Sequence, residues 1–338
     1  MPSFQWSRRK TDVNGTFANC LEQSDINFCF NYHRSWWDPL TTQLVYHKRP
    51  QVAKGSFLLK VSVAPNALPP YPEGMALWRM IQDTPQSAAW NMAVDEAILT
   101  MSPALNRPTL RFYSWQRPTL SLGYFQSVTE VDAEACGQHD IDLVRRPTGG
   151  RAVLHHQEVT YSVVTGLDVL PGGVSASYRQ ISDVLIDALE RLGLKAQLQR
   201  SHTKAQSSVC FDTPSFAELT VSGKKVCGSA QTRTKHALLQ HGALPLQFDW
   251  ERMAIALKLS DRVLNILQRQ AAGLQEFVSI TEEDLMRALK QSFELKFGPL
   301  KPSELTDEER KLAKKLSQEK YAHLDWVDHK EALHAAGC

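Results

Sequence analysis

Residues 145–155 read Arg145-Arg146-Pro147-Thr148-Gly149-Gly150-Arg151-Ala152-Val153-Leu154-His155, and the class of fold is read from this run and its flanks. Upstream, Leu143 to Arg146 is a short strand stopped by Pro147. Downstream, Val159, Tyr161 and Val163 alternate with Thr160, Ser162 and Val164, the period of a strand. Between them, the glycine pair lets backbone N–H groups turn toward a ligand with no Cβ in the way. Flanked by Arg146 and Arg151, such a nest suits an anion or a polar acyl carbonyl. A Gly-Gly hairpin turn with solvated arginines fits the same spacing. The run is not a P-loop, because the Gly-Lys-Ser/Thr ending is absent.

Outward from this run, strands and helices mix. Thr84-Pro85 can cap and open a helix on which Trp90, Val94, Ala97, Ile98 and Met101 recur at helical spacing. Short strands follow at Leu110 to Tyr113 and Thr119 to Tyr124. Tyr178, Ile181, Leu185, Ala188, Leu189 and Leu192 mark a helix closed by Gly193. Ser222-Gly223 reads as a hairpin turn between Phe216 to Val221 and Lys225 to Ser229. Ala237 to Leu246 reads as another strand. The rest is helical, over Trp250 to Leu259, Arg262 to Gln270, Leu285 to Phe297 and Glu308 to Tyr321. The last helix opens with Thr306 and Glu309 in capping-box spacing. The pattern predicts an α+β fold.

The composition bounds the class. The 338 residues are 43% hydrophobic and 22% charged, as in a globular protein with a real core. No apolar run of about 18 residues is present, which argues against a membrane span. The net charge of +2 gives no electrostatic footprint for nucleic acid. Residues 1–74 hold eight Lys/Arg against five Asp/Glu, leaving 30 against 31 for the nearly neutral remainder. A protein or small-molecule partner fits that balance better than a polyanion. The six cysteines form no CxxC pair, and their density is far below a disulfide scaffold. With no signal peptide, this points to free thiols in a reducing cytoplasm.

Residues 1–74 read differently from the rest of the chain. They lack a sustained helical period, show one strand-like stretch at Ser56 to Val63, and end in a linker rich in proline (Pro65, Pro69, Pro70, Pro72). Organised patterning begins at Met75. The expected division is an extension over 1–74, a catalytic domain over 75–330 and a tail over 331–338. The extension is either part of the native chain or upstream sequence carried by a misassigned start.

Two further clusters carry chemistry. Ser207-Ser208-Val209-Cys210-Phe211-Asp212-Thr213-Pro214-Ser215 sets a cysteine in turn-like sequence, where an exposed thiol near a positive group becomes a nucleophile; a buried, merely apolar cysteine is the plainer alternative. In Gly223-Lys224-Lys225-Val226-Cys227-Gly228-Ser229-Ala230-Gln231, strand alternation turns one lysine inward. An inward Lys beside Gly228 and Ser229 can contact a carbonyl oxygen or phosphate. Cys227, two residues after Lys225, is expected on the same face, where it competes with Cys210 as nucleophile or simply packs. His155-His156-Gln157-Glu158 superficially suggests a metal site. Neighbouring strand residues point to opposite faces, and no HxxxH or Cys partner is near, so no metal is expected. Gln240-His241-Gly242 lines a site or packs.

In their order, RRPTGGRAVLH, SSVCFD-P-S, GKKVCGSAQTR and LQHG resemble the LipM-type octanoyltransferases of the biotin/lipoate protein ligase superfamily. The resemblance spans about Met75 to Trp326 and includes Asn91-Met92-Ala93-Val94-Asp95-Glu96-Ala97 and Gly123-Tyr124-Phe125-Gln126. It implies a ligase-like domain of mixed, mostly antiparallel sheets flanked by helices. It also implies transfer of octanoyl from octanoyl-acyl carrier protein to a lipoyl-domain lysine, usually that of the glycine cleavage H protein. No cofactor is implied. By position, Cys210 carries the acyl thioester and Lys225 assists it. Arg146, Thr148, Gly149, Gly150, Arg151, His155, Gly228, Ser229, His241 and Gly242 bind substrate. Two positions depart from the family: His156 stands where Asp is usual, and Cys227 where a small residue such as Ala is common. An ATP-dependent lipoate ligase fits less well, since its loop reads GGGAV and lacks the cysteine. A lipoyl amidotransferase shares fold and thiol chemistry but differs around the Cys and glycines. A non-catalytic binder of lipoyl domains would have no use for the Cys210–Lys225 pair.

Overall fold

The computed structural model describes residues 77–105, 107–199, 218–323 and 326–327, with four strands nearer the N-terminus. The chain divides into two compact units, Met1–Tyr71 and Pro72–Cys338. In the first, β1 (Gln5–Arg8), β2 (Phe17–Gln23), β3 (Ile26–Tyr32) and β4 (Leu44–His47) form an antiparallel sheet in chain order. This corrects the reading of residues 1–74 as holding one strand-like stretch. Ile26, Phe28, Phe30 and Tyr32 do alternate with Asn27, Cys29 and Asn31, a strand period that the absence of helical patterning masked. Ser56 to Val63 lies outside the described residues.

The second unit opens with β5 (Trp78–Gln82) and α1 (Ala88–Leu105). The helix is not opened by Thr84-Pro85: the Trp90 N–H donates to Ser87 Oγ at 3.3 Å, so Ser87 caps it. Then come β6 (Thr109–Tyr113), β7 (Thr119–Leu122), α2 (Ala133–Gln138), β8 (Asp142–Arg145), β9 (Val153–His155) and β10 (Gln157–Gly166). They are followed by α3 (Gly173–Arg191), β11 (Ala196–Gln199), β12 (Glu218–Val221), β13 (Lys224–Arg233) and β14 (Ala237–Gln247). The chain continues through α4 (Trp250–Ala256), α5 (Asp261–Gln270), α6 (Glu282–Phe297), β15 (Leu300–Pro302) and α7 (Asp307–Leu316).

Eight strands form one sheet in the order β11-β12-β13-β14-β10-β6-β5-β15. Pairing is antiparallel from β11 to β6 and parallel through β6-β5-β15. The β12–β13 connection is the expected tight turn, with positive φ at Ser222 and Gly223. The alternation read from β10 is spatial. Val159, Tyr161 and Val163 pack with Ile181, Leu185 and Leu189 of α3 and Leu285, Leu289 and Phe293 of α6. Val164, on the other face, packs with Met92 and Ala97 of α1 and Ala313 of α7. The Thr306 capping box fixes the start of α7. Beside this sheet, β8-β7-β9 form a small three-stranded sheet whose core includes Cys136 of α2, Met253 of α4 and Leu267 of α5.

Candidate active site

A cavity lies between the two sheets. The large sheet supplies Tyr113, Thr160, Gly228, Ser229, Ala230, His241, Gly242 and Ala243; the small sheet supplies Ser121, Val153 and His155. Met92, Trp115 and Arg146 complete the lining. A Cβ built on Gly228 meets nothing within 4 Å, so this glycine keeps width that a side chain would take.

Register builds the polar floor. Arg111 of β6 lies opposite Ser162 of β10, which lies opposite His241 of β14. Asp95 reaches down from α1 onto all three. Its carboxylate accepts from Arg111 Nη1 at 2.8 Å and Ser162 Oγ at 2.8 Å. It also takes the Tyr113 hydroxyl at 3.1 Å and meets His241 Nδ1 at 3.0 Å. Arg111 is held further by Asp83 at 2.7 Å and by the Asn91 side chain at 2.9 Å. Burial works most strongly against the Asp95 charge. The Arg111 charge and the bonds from His241 and Ser162 together outweigh it, so the carboxyl lies below its ordinary range.

On His241, burial is again the largest influence and favours neutral imidazole. The bond to Asp95 and its charge oppose this without restoring the ordinary value, so the pKa falls below 6.5. The unfolded chain therefore takes up this proton first on acidification. The stability contributed is complete above about pH 6.5 and is lost as pH falls toward the lowered folded value. Between pH 7 and pH 5 the urea midpoint should drop, and His241→Gln should flatten that part of the slope.

A second imidazole–carboxylate pair faces the same cavity. His155 Nδ1 lies 2.5 Å from Glu158 Oε1, and His155 Nε2 lies 2.8 Å from Ser121 Oγ. The ring stacks on Trp115 at 4.2 Å between centroids and 18° between planes. Trp115 Nε1 donates to Thr160 Oγ1 at 3.0 Å, and the Thr160 hydroxyl donates to Glu158 at 2.7 Å. The partners thus assign the Nδ1 proton to the carboxylate side and leave Nε2 to accept from Ser121. His156 turns away to Asp249 at 3.0 Å. Among the described residues no cluster of three or more His, Cys, Asp or Glu side chains could hold a metal ion.

Of the RRPTGGR run, Arg146 lines this cavity. Thr148 is buried behind His241, with Oγ1 2.6 Å from Nε2. Arg151 pairs with Glu130 at 2.9 Å. Neither of the first two arginines is solvated, against the plain hairpin reading. Arg145 donates to the carbonyls of Gly123, Gln126, Trp326 and Val327. Arg146 donates to Ser121 O (2.8 Å), Gly149 O (2.8 Å) and Arg151 O (2.7 Å), clamping the loop. The loop packs tightly against Gly123, where a Cβ would stand 1.8 Å from Gly150 O.

Lys225 lies outside the cavity lining. It is buried, and its Nζ donates to Glu218 Oε1 at 3.1 Å. The expectation that Cys227 shares its face is overturned by a β-bulge. Cys227 pairs with Leu219 and Lys225 with the next residue, Thr220, so β13 carries one extra residue there. Val226 and Cys227 both sink into the core shared with α3 and α6, while Lys225 meets Glu218 on the other side. Cys227 is a packing residue. Cys210 lies outside the described residues; of the described ones on either side of it in sequence, Gln199 of β11 pairs with Glu218 of β12.

The sequence reading passes over Ser121, which lines the cavity, over Asp95 and Glu158, which hold the lining histidines, and over Arg111 and Glu218, which pair with Asp95 and Lys225. The one readable signal is Asn91 and Asp95, four residues apart beside the apolar stripe of α1.

The lipoyl protein ligase A/B catalytic domain family matches residues 87–294. A lipoate-protein ligase A bound with ATP shares the fold at a TM-score of 0.64 and 26% identity, over 74% of this chain and 98% of that one. A bi-partite lipoate protein ligase from Thermoplasma acidophilum has a TM-score of 0.64 at 24% identity, over 74% and 96%. The fold is thus that of the lipoate-protein ligases, and the chain belongs to the lipoyl protein ligase A/B catalytic domain family. Octanoyltransferase LipM of Kyrpidia tusciae is 43% identical over 271 residues, 75% of this chain and 98% of its own length. That of Bacillus subtilis is 40% identical over 269 residues, 74% and 97%. Within the family the chain stands with these LipM-type enzymes, as an acyltransferase of lipoate assembly.

Proposed function

We propose that the enzyme takes an octanoyl group from octanoyl-acyl carrier protein onto the Cys210 thiol and passes it to a lipoyl-domain lysine, first that of the glycine cleavage H protein. One observation supports this assignment most: Glu218, at the root of the segment that carries Cys210, holds the Lys225 ammonium at 3.1 Å. A cation there favours thiolate over thiol. In the first half-reaction the Cys210 sulfur adds to the donor carbonyl. The donor C–S bond breaks, and the carrier thiolate leaves and takes up a proton. Thioester is exchanged for thioester at nearly equal energy, so no ATP is required. In the second half-reaction the neutral acceptor amine adds, the Cys210 C–S bond breaks, an amine proton passes to the leaving sulfur and an amide forms. The amide is the more stable product, which drives the step forward. The cavity takes the acyl chain, with the open side of Gly228 giving it width. Among the described residues no helix is long and apolar enough to cross a membrane; the reaction is assigned to the cytoplasm, where its thiols stay reduced.

The test mixes purified enzyme, octanoyl-acyl carrier protein and H protein without ATP and weighs the acceptor. Gain of one octanoyl group is expected. Modification only with free octanoate plus ATP would assign the ligase reaction instead.

A further inference from the structure

We infer that Ser121, His155 and Glu158 are the proton relay of the second half-reaction, taking the proton that the acceptor lysine must lose; this inference rests on the acyl-enzyme reading above. A lysine side chain in water is almost wholly ammonium at pH 7, with a pKa of about 10.4. It has no lone pair for the thioester carbon until a base removes a proton, and the cavity must supply that base. Two imidazoles line it, and their partners distinguish them. His241 shares Asp95 with Arg111, Tyr113 and Ser162, so that carboxylate is already balanced by a buried cation. Its Nε2 is closed off by Thr148, which does not line the cavity.

His155 is placed differently. Its Nδ1 faces Glu158 at 2.5 Å, and that carboxylate also accepts from the Thr160 hydroxyl. Its Nε2 faces Ser121 at 2.8 Å, and the Ser121 side chain lines the cavity. Arg146 Nη1 donates to Ser121 Oγ at 3.2 Å, which turns the Ser121 proton toward His155. Hydroxyl, imidazole and carboxylate thus stand in the order that moves a proton away from the cavity. The transfer balances: an ammonium N–H proton passes to Ser121 Oγ as the Ser121 proton passes to His155 Nε2. The resulting imidazolium is held by Glu158. The freed amine then forms the C–N bond, the Cys210 C–S bond breaks, the amine's second proton passes to the leaving thiolate, and His155 releases the first to water through Ser121. Trp115, stacked on His155, fixes the ring plane throughout. Ser121 is the catalytic residue in this relay; His155 and Glu158 act through it.

The two half-reactions separate the prediction from the reading beneath it. Enzyme is first loaded with octanoyl-acyl carrier protein, then mixed in single turnover with either H protein or hydroxylamine, an amine already neutral at pH 7. Ser121→Ala and His155→Gln should slow transfer to the protein lysine by roughly 10²–10⁴-fold, the usual worth of general base catalysis. Cleavage by hydroxylamine should stay within about threefold of the native rate, because that nucleophile needs no base. Native-rate transfer to H protein by both variants, or equal slowing with both amines, would overturn the relay. Ser121→Ala removes one oxygen and decides the matter if His155→Gln does not fold. Failure of the native enzyme to load would instead strike the acyl-enzyme reading, and the relay with it.

Discussion

Replacing Asp95 by Ala should cost on the order of 4–5 kcal/mol of folding stability, a large share of the roughly 5–15 kcal/mol available to a domain. The reason is the number of groups that share this carboxylate. Arg111 is fully buried and loses its buried counter-ion, keeping Asp83 at the edge and Asn91. The Tyr113 hydroxyl, Ser162 hydroxyl and His241 Nδ1 lose their acceptor together. Breaking a buried ion pair from one side costs about 3–5 kcal/mol, and each unsatisfied buried group adds about 1–3 kcal/mol unless water enters. Urea denaturation should show the midpoint falling with little change in slope. Removing the cation as well, in Asp95→Ala/Arg111→Met, should recover part of the loss, because no uncompensated charge then stays buried. Equal stability of Asp95→Ala and the native chain would mean that the hub is not a structural keystone.

The second large effect falls on rate. Lys225→Ala should slow acyl-enzyme formation by roughly 10–10²-fold at pH 7, because the cation that favours the Cys210 thiolate is gone and a neighbouring opposite charge is worth about 1–3 pKa units. Stability should change far less, because the partner left behind, Glu218, is partly open to water. Lys225→Arg restores the charge but not its compact geometry, and its rate should lie between the two. Rapid-quench sampling of the loading step measures this directly. An unchanged loading rate in Lys225→Ala would remove the lysine from the chemistry.

How far the residues announce all this depends on the range of the interaction. The two faces of β10, the turn at Ser222-Gly223, the Gly193 end of α3 and the Thr306–Glu309 box of α7 each rest on neighbours a few positions apart. They are legible for that reason. The three-residue β9 and β15 and the six-residue α2 are too short to show a period and take their form from the sheet or helix beside them. The site divides in the same way. His155, His241 and the glycines stand out by residue type. Asp95 does not, because its partners at 111, 162 and 241 come together only once β6, β10 and β14 are in register. The arginines of RRPTGGR look like ligand groups, yet Arg145 and Arg146 spend most of their donors on backbone carbonyls that hold the loop. The bulge at Val226 moves Cys227 to the core face, a one-residue shift that strict alternation cannot foresee.

The proposed chemistry turns on a thioester at Cys210. Its formation can be seen by intact-protein mass spectrometry after mixing enzyme with octanoyl-acyl carrier protein, without ATP. The expected result is a gain of one octanoyl group, released by hydroxylamine and absent from Cys210→Ala. An enzyme that octanoylates the H protein while Cys210→Ala works equally well, or while no adduct ever forms, would rule the thioester out.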